Sequence, residues 1–224
     1  WLDPYNRANH EMIIAMTREA EALGFDEVQL DYIRFPVDDG TVYARYPAMT
    51  EDSPRRWEVL KDFLRRMDEA LRIPIGVDVF GLTAFNFGNQ RPLGQKLDEW
   101  TDYVEVFSPM LYINSMRTWG HGAPERDRRL IEAGVTQMRR RLGPQPIIRP
   151  FLQAFAEGAD DPGPGFIGRQ IRGARRGGAD GYLFWHPGSR YTMLYRGGRG
   201  EHRPFPIARR IRARQAALED RQTP

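Results

Sequence analysis

The sequence predicts an α/β chain of parallel strands, closed as a (β/α)8 TIM-type barrel and present here in part. Three observations predict it. Strand-like segments alternate with helix-like ones through most of the 224 residues, which implies a parallel sheet with right-handed crossovers. Polar residues alternate with apolar ones inside those strands, so one strand face must carry groups that a packed core would penalise. The long loops follow the strands on one side only. An open doubly wound sheet meets the first observation; the other two favour a barrel, whose inward residues near the strand C-termini line the active site. Five strands are counted where a full barrel has eight, so the missing strands are expected before Trp1, and this chain supplies strands 4–8.

The elements follow in order. Asp3-Pro4 is a helix opening, Asp as N-cap and Pro in the first turn. Met12, Ile13, Met16, Ala20 and Leu23 then recur at helical spacing, with Gly24 as the stop. Asp26 to Pro36 holds the first strand and the loop after it. Val28, Leu30 and Tyr32 share the face expected against helices, and Glu27, Gln29 and Asp31 share the other, into the interior. Ser53-Pro54 opens a second helix on Trp57, Leu60, Leu64, Met67 and Leu71. Pro74 to Gly81 is the second strand, with Gly76 and Asp78 on one face. Tyr103 to Tyr112 holds the third, its end or a bulge marked by Pro109. A helix over Pro124 to Leu142, a strand over Pro146 to Gln153, a helix over Phe166 to Arg176 and a strand over Gly181 to His186 complete the order. Residues 1–196 form the predicted barrel portion, and 197–224 a basic tail with a helix near Ile207 to Leu218.

Composition excludes several functions. With no cysteine, disulfides, thiolate catalysis and cysteine-bound zinc are out. No apolar run approaches the ~20 residues of a membrane span. Arginine supplies 31 of the 33 basic residues, a compositional habit more than a nucleic-acid footprint, and the +3 net charge equals that of the segment from Glu201 onward, so no nucleic-acid partner is expected. The four histidines have no ligand spacing. Asp38-Asp39-Gly40 reads as a turn, and no phosphate-cradling glycine motif occurs. No metal and no cofactor are expected. The sequence starts at Trp1, which leaves the compartment open and compatible with secretion or the cell envelope.

The chemistry points to two acids. Asp78 holds on its strand the place that Asp31 holds on the one before. Neighbouring strands lie ~4.8 Å apart, so the two carboxyls are expected roughly 5–8 Å apart, the separation that glycosidic cleavage uses. Each acid has a structural alternative, an arginine pair or a loop cap. Glu105 is a reserve general acid. Arg34 is placed to orient Asp31, and Arg149 a second acid. Tyr112, Trp119 and Trp185, with Gln153 and His186, supply the aromatic and amide surface that a sugar ring requires. Taken singly each aromatic reads as core, Tyr32 most clearly by its outward parity, while Trp119 and Trp185 are the better sugar platforms.

Several stretches resemble the bacterial and archaeal putative glycosyl hydrolase domain, long catalogued as a domain of unknown function. They are Trp1 to Asn6, Gly24 to Pro36, Asp78 to Gly81, Gly94-Gln95, Ser108 to Tyr112, Arg149 to Phe155 and Gln170-Ile171, spanning the chain to about Tyr191. The resemblance implies an α-amylase-like barrel that begins here after its third strand, so that the N-terminal barrel half of the same protein is a partner. It implies Asp31 as nucleophile. In amylase-like barrels the acid on the next strand is a glutamate, and Asp78 is one methylene shorter. The activity expected is hydrolysis of a poly- or oligosaccharide. A carbohydrate-binding barrel without catalysis and a lyase or isomerase using Asp31 as base are the alternatives.

Overall fold

The computed structural model describes residues 1–37, 43–85, 90–116, 118–197 and 204–220. In chain order its main elements are α1 (Arg7–Ala22), β1 (Val28–Leu30), α2 (Arg56–Ala70), β2 (Ile75–Phe80), α3 (Gln90–Leu93), β3 (Val106–Met110), α4 (Arg126–Leu142), β4 (Ile147–Ile148), β5 (Phe151–Gln153), α5 (Phe166–Gly177), β6 (Leu183–Trp185), α6 (Thr192–Gly197) and α7 (Ile207–Asp220). They group into two compact units. Unit one holds residues 1–79, 86–106 and 211–224; unit two holds 80–85 and 107–210. The alternating order, and the parallel pairing inside each unit, are those of a partial TIM-type barrel. The Asp38-Asp39-Gly40 turn, His202 and the loop residues Asn86, Phe87 and Asn89 lie outside the described residues.

In unit one, β1 pairs in parallel with β2, Val28 opposite Ile75, Gln29 opposite Gly76 and Leu30 opposite Val77. β2 is buried along nearly its whole length. α2 packs on Val59, Leu60, Phe63, Leu64 and Met67, close to the expected stripe. α1 departs from expectation. Asn6, not Asp3, caps it, accepting from the Ala8 N–H at 3.0 Å. Asp3 instead pins the entry turn, accepting from Tyr5 N–H at 2.9 Å and Ala48 N–H at 2.8 Å. The packed stripe is His10, Ile14 and Thr17, whereas Met12, Met16 and Leu23 are exposed. The apolar periodicity was a true helix signal whose buried side was set instead by contacts with α2: the His10 ring against Phe63, and Arg7 against Asp62 at 2.7 Å.

In unit two, β5 pairs in parallel with β3 and with β6, Leu152 opposite Phe184 and Gln153 opposite Trp185. The expected single strand over Pro146 to Gln153 is two short ones, because Arg149-Pro150 interrupts it and proline brings no ladder donor. α4 and α5 pack closely. A Cβ on Gly173 would lie 2.4 Å from the Arg128 carbonyl oxygen, so glycine sets that approach. Within the tail α7 is packed: Arg210 donates to the Gln145 carbonyl at 2.6 Å, and the Leu218 side chain is buried.

Candidate active site

Both candidate acids belong to unit one. β1 ends at Leu30, so Asp31 lies just past the strand, in a bend. The paired register stops one residue short, with Leu30 opposite Val77; its continuation would bring Asp31 opposite Asp78. Asp31 is exposed, and its Oδ1 accepts from the Tyr32 N–H at 2.7 Å. Tyr32 holds a left-handed backbone (φ 54°) that non-glycine residues rarely adopt. That kink turns its ring out of the expected core position. Tyr32 is 62% exposed and meets Trp1 edge-on, ring centroids 5.3 Å apart.

A cleft of about 530 Å³ opens here, its wall including Gln29, Asp31, Tyr32, Arg34, His10 and Trp1. The expectation of a crowded interior around Gln29 and Asp31 is therefore corrected: both side chains are exposed along this cleft. The buried Arg34 guanidinium lies over the Trp1 and Tyr32 rings, 5.0 and 5.3 Å from their centroids, and donates to the Phe35 carbonyl at 3.3 Å. It acts first as a cation–π floor under those rings.

Asp78 differs from Asp31. It is 6% exposed, between the fully buried Val77 and Val79, and it is not part of the cleft wall. Its Oδ1 accepts from the Gln29 side-chain amide, and its backbone carbonyl from Gln95 at 3.4 Å. Gln95 is fully buried and also donates to the Ile33 carbonyl at 3.2 Å.

Glu105 is corrected as a reserve acid. Its Oε2 accepts from the N–H of Ile75, the first residue of β2, at 3.0 Å. It thus sits at the end of the strand opposite Asp78's. Burial pushes its carboxyl above the ordinary range, against the Ile75 hydrogen bond and the Arg214 charge, which pull the other way. The perturbation has a structural cause.

The other expected residues lie in unit two. Tyr112 and Trp185 face each other in a tilted stack at 5.2 Å, and Phe155 meets Trp185 edge-on at 5.8 Å. Trp185 is 40% exposed. His186 follows β6 directly; its Nδ1 accepts from the Gly188 N–H at 2.9 Å, which puts the proton of the neutral ring on Nε2. Trp119 is half-buried, edge-on to Phe85 at 5.3 Å. Arg149 is half-buried between β4 and β5, its N–H donating to Phe107 at 3.0 Å. Gln153 is fully buried and committed to backbone: it accepts from the Asn114 N–H at 2.8 Å and donates to the Phe155 and Glu157 carbonyls at 2.9 and 2.8 Å. It builds the aromatic surface and leaves no group for a sugar.

Three residues that sequence reasoning passed over complete these sites. Gln29 touches Asp78. Gln170 exchanges two hydrogen bonds with the Gln153 backbone, both at 2.9 Å. The buried Arg126 holds the Trp119 loop through the Trp119 and Met116 carbonyls at 2.6 and 2.5 Å. The polar parity of Gln29 was the one available signal. Among the described residues, no group of three or more His, Asp or Glu is placed to hold a metal ion, and no helix is long and apolar enough to cross a membrane.

A family model described as "Putative glycosyl hydrolase domain" matches residues 1–191. Among solved structures, the chain is similar to the glycoside hydrolase domain of PgaB (BpsB) from Bordetella bronchiseptica, with 19% identity and a TM-score of 0.41. That likeness covers 58% of this chain and 37% of the other. No curated protein matches.

Proposed function

Because the chain belongs to the putative glycosyl hydrolase domain family, we propose that it is a glycoside hydrolase cleaving O-glycosidic bonds of a poly- or oligosaccharide with Asp31 and Asp78. What supports this reading is the β1–β2 register, Leu30 opposite Val77, beyond which the next residues of the two segments are Asp31 and Asp78. Asp31, exposed in the cleft wall, is the nucleophile or base. Asp78 is the general acid in this reading, which requires substrate binding to open a path from the cleft to its buried carboxyl. The Tyr112, Phe155 and Trp185 rings of unit two offer the flat apolar surface that sugar C–H faces stack on. Trp119, Arg149 and His186 are further sugar contacts in that unit, and Arg34 is one in unit one. The N-terminal barrel half is the partner this reading supplies.

The test is a glycan panel with the wild type, Asp31→Asn and Asp78→Asn. The wild type cleaves at least one glycan. Each variant loses on the order of 10² to 10⁴ in rate, the usual worth of a positioned acid, base or nucleophile. Wild-type rates in both variants overturn the assignment.

The burial of Asp78, outside the cleft wall, favours a second reading: a carbohydrate-binding barrel without catalysis. It requires glycan binding by the wild type, no cleavage, and unchanged binding in both variants.

A further inference from the structure

We propose that the groove beside the end of β6, within unit two, is a subsite for an acidic sugar, so that the glycan this chain takes carries negative charge. This rests on the reading of unit two as a saccharide surface and not on the two acids of unit one. The groove holds about 640 Å³, its wall including Phe155, Glu157, His186, Arg190, Met193 and Arg196, a size usual for ligand sites. Phe155 joins it to the aromatic cluster, since its ring meets Trp185 at 5.8 Å and His186 at 6.1 Å. A sugar stacked on those rings has the groove beside it.

The donors in this wall are uncommitted. Elsewhere in unit two arginines hold carboxylates: Arg128 that of Glu125 at 2.8 Å, Arg139 that of Asp180 at 2.6 Å, and Arg169 that of Asp127 at 2.8 Å. Among the described residues, Arg190 and Arg196 have no such partner. His186 adds a directed donor. Its Nδ1 accepts from the Gly188 N–H at 2.9 Å, so Nε2 carries the proton of the neutral ring. The turn after β6 brings His186 and Arg190 together. Ser189 holds a left-handed backbone (φ 52°), and its N–H donates back to the His186 carbonyl at 3.1 Å. Arg190 Nε and His186 Cε1 then lie 3.4 and 3.5 Å from one point, the place that a Cβ on Gly188 would take. Arg196 is seated by α6. A Cβ on Gly197 would lie 2.7 Å from the carbonyl oxygen of Pro164, itself part of the groove wall, so glycine permits that close approach. Glu157 is the acid of the wall, and against two arginines it leaves the charge positive. A guanidinium gives a carboxylate or sulfate two parallel N–H bonds and a charge partner, neither of which a hydroxyl can match. Two such groups on one groove favour a charged substituent over a neutral one.

The test reads binding and not cleavage, so it fails separately from the assignment of Asp31 and Asp78. Calorimetry is run at about 0.15 M salt, where attraction between exposed charges is screened beyond roughly 8 Å. The probes are oligomers of galacturonan, alginate and hyaluronan, the carboxyl-reduced form of each, and a sulfated dextran oligomer. The proteins are the wild type, the double variant Arg190→Gln/Arg196→Gln and a charge-matched control on exposed positions of α4, Arg129→Gln/Arg140→Gln. The wild type is expected to bind at least one uronate oligomer about tenfold or more tighter than its reduced form. The groove variant brings the two within about threefold of each other, and the control leaves the preference in place. Sulfated dextran bound with the same dependence on Arg190 and Arg196 adds sulfate to carboxylate as the anion recognised. A wild type that binds none of the acidic oligomers overturns the proposal, as does a preference that survives in the groove variant or falls equally in the control. Reduced oligomers bound as tightly as their uronate parents overturn it too, and leave the aromatic cluster as a neutral-sugar surface.

Discussion

Two glutamines on strands, one in each unit, do opposite work. Gln153 at the end of β5 is fully buried, and its side chain answers one backbone N–H and two backbone carbonyls. Gln29 in β1 is exposed in a cleft wall and gives an N–H to a carboxylate. The first is structural: it closes loops that carry Tyr112 and Phe155. The second spends a donor on an ionisable group beside open space, where a structural need is weakest. The surroundings differ as well. Unit one holds 15 basic residues and 22 acids, a net of −7; unit two holds 18 and 8, a net of +10. The near-neutral whole is therefore an average of an acidic unit with the candidate acids and a basic unit with the aromatic cluster.

The largest expected effect tests that contrast directly. Gln153→Leu removes three part-buried hydrogen bonds at once, those to the Asn114 N–H and to the Phe155 and Glu157 carbonyls, each worth roughly 1 kcal/mol. A loss of about 3 kcal/mol is expected, read as a fall in the urea midpoint. Gln29→Leu takes one donor from the buried Asp78 carboxylate and fills no buried site, so a smaller loss of about 1 kcal/mol is expected. Equal losses in the two variants would break the comparison.

Much of this was legible in the sequence, and the failures have physical reasons. The strand over Ile75 to Phe80 was plain from its apolar run, and α2 from its stripe. Parity gave Asp31 and Asp78 matching places on adjacent strands, and the resemblance added a role for Asp31; the structure ends the first strand one residue before Asp31. What parity could not supply was exposure. Asp31 and Gln29 both line the open cleft, whereas Asp78 is enclosed. The Tyr32 kink was invisible because a left-handed tyrosine has no sequence signature. Nor does periodicity say which side of α1 packs: His10 and Thr17 are polar by type but find the Pro4 and Ile14 carbonyls at 2.7 and 2.9 Å, so burying them costs little. Gln153 looked like a ligand residue because amides suit sugars; only its three backbone partners show otherwise.

A smaller effect separates surface from scaffold within unit two. Trp185 is partly exposed, and its ring contacts are Tyr112 and Phe155. Trp185→Ala is expected to cost about 1–2 kcal/mol of stability, two aromatic contacts' worth, while glycan binding falls at least tenfold. Calorimetry with the glycan that the wild type binds reads both in one experiment. Binding that survives the substitution removes the aromatic cluster from the sugar site and leaves the carboxylate pair untouched.

The smallest effect belongs to unit one and is read through pH. His10 lines the cleft, with Nε2 donating to the Pro4 carbonyl and Nδ1 facing Arg66 at 3.3 Å. Burial, ahead of the Arg66 and Arg7 charges, holds its pKa below 6.5, against the Pro4 hydrogen bond and the Asp62 charge. Glu11, paired with Arg66, completes the charges around it. A histidine whose folded pKa is depressed takes up its proton first in the unfolded chain. Stability is therefore full above pH 6.5 and declines as pH falls from there toward the folded value. His10→Gln removes that titration, so its urea midpoint should change less than the wild type's between pH 7.5 and 5.5. Using the difference between the two proteins cancels the titrations they share, including those of the carboxylates. An equal change in both would mean that the folded chain takes up the His10 proton as readily as the unfolded one, and that neither burial nor Arg66 opposes it.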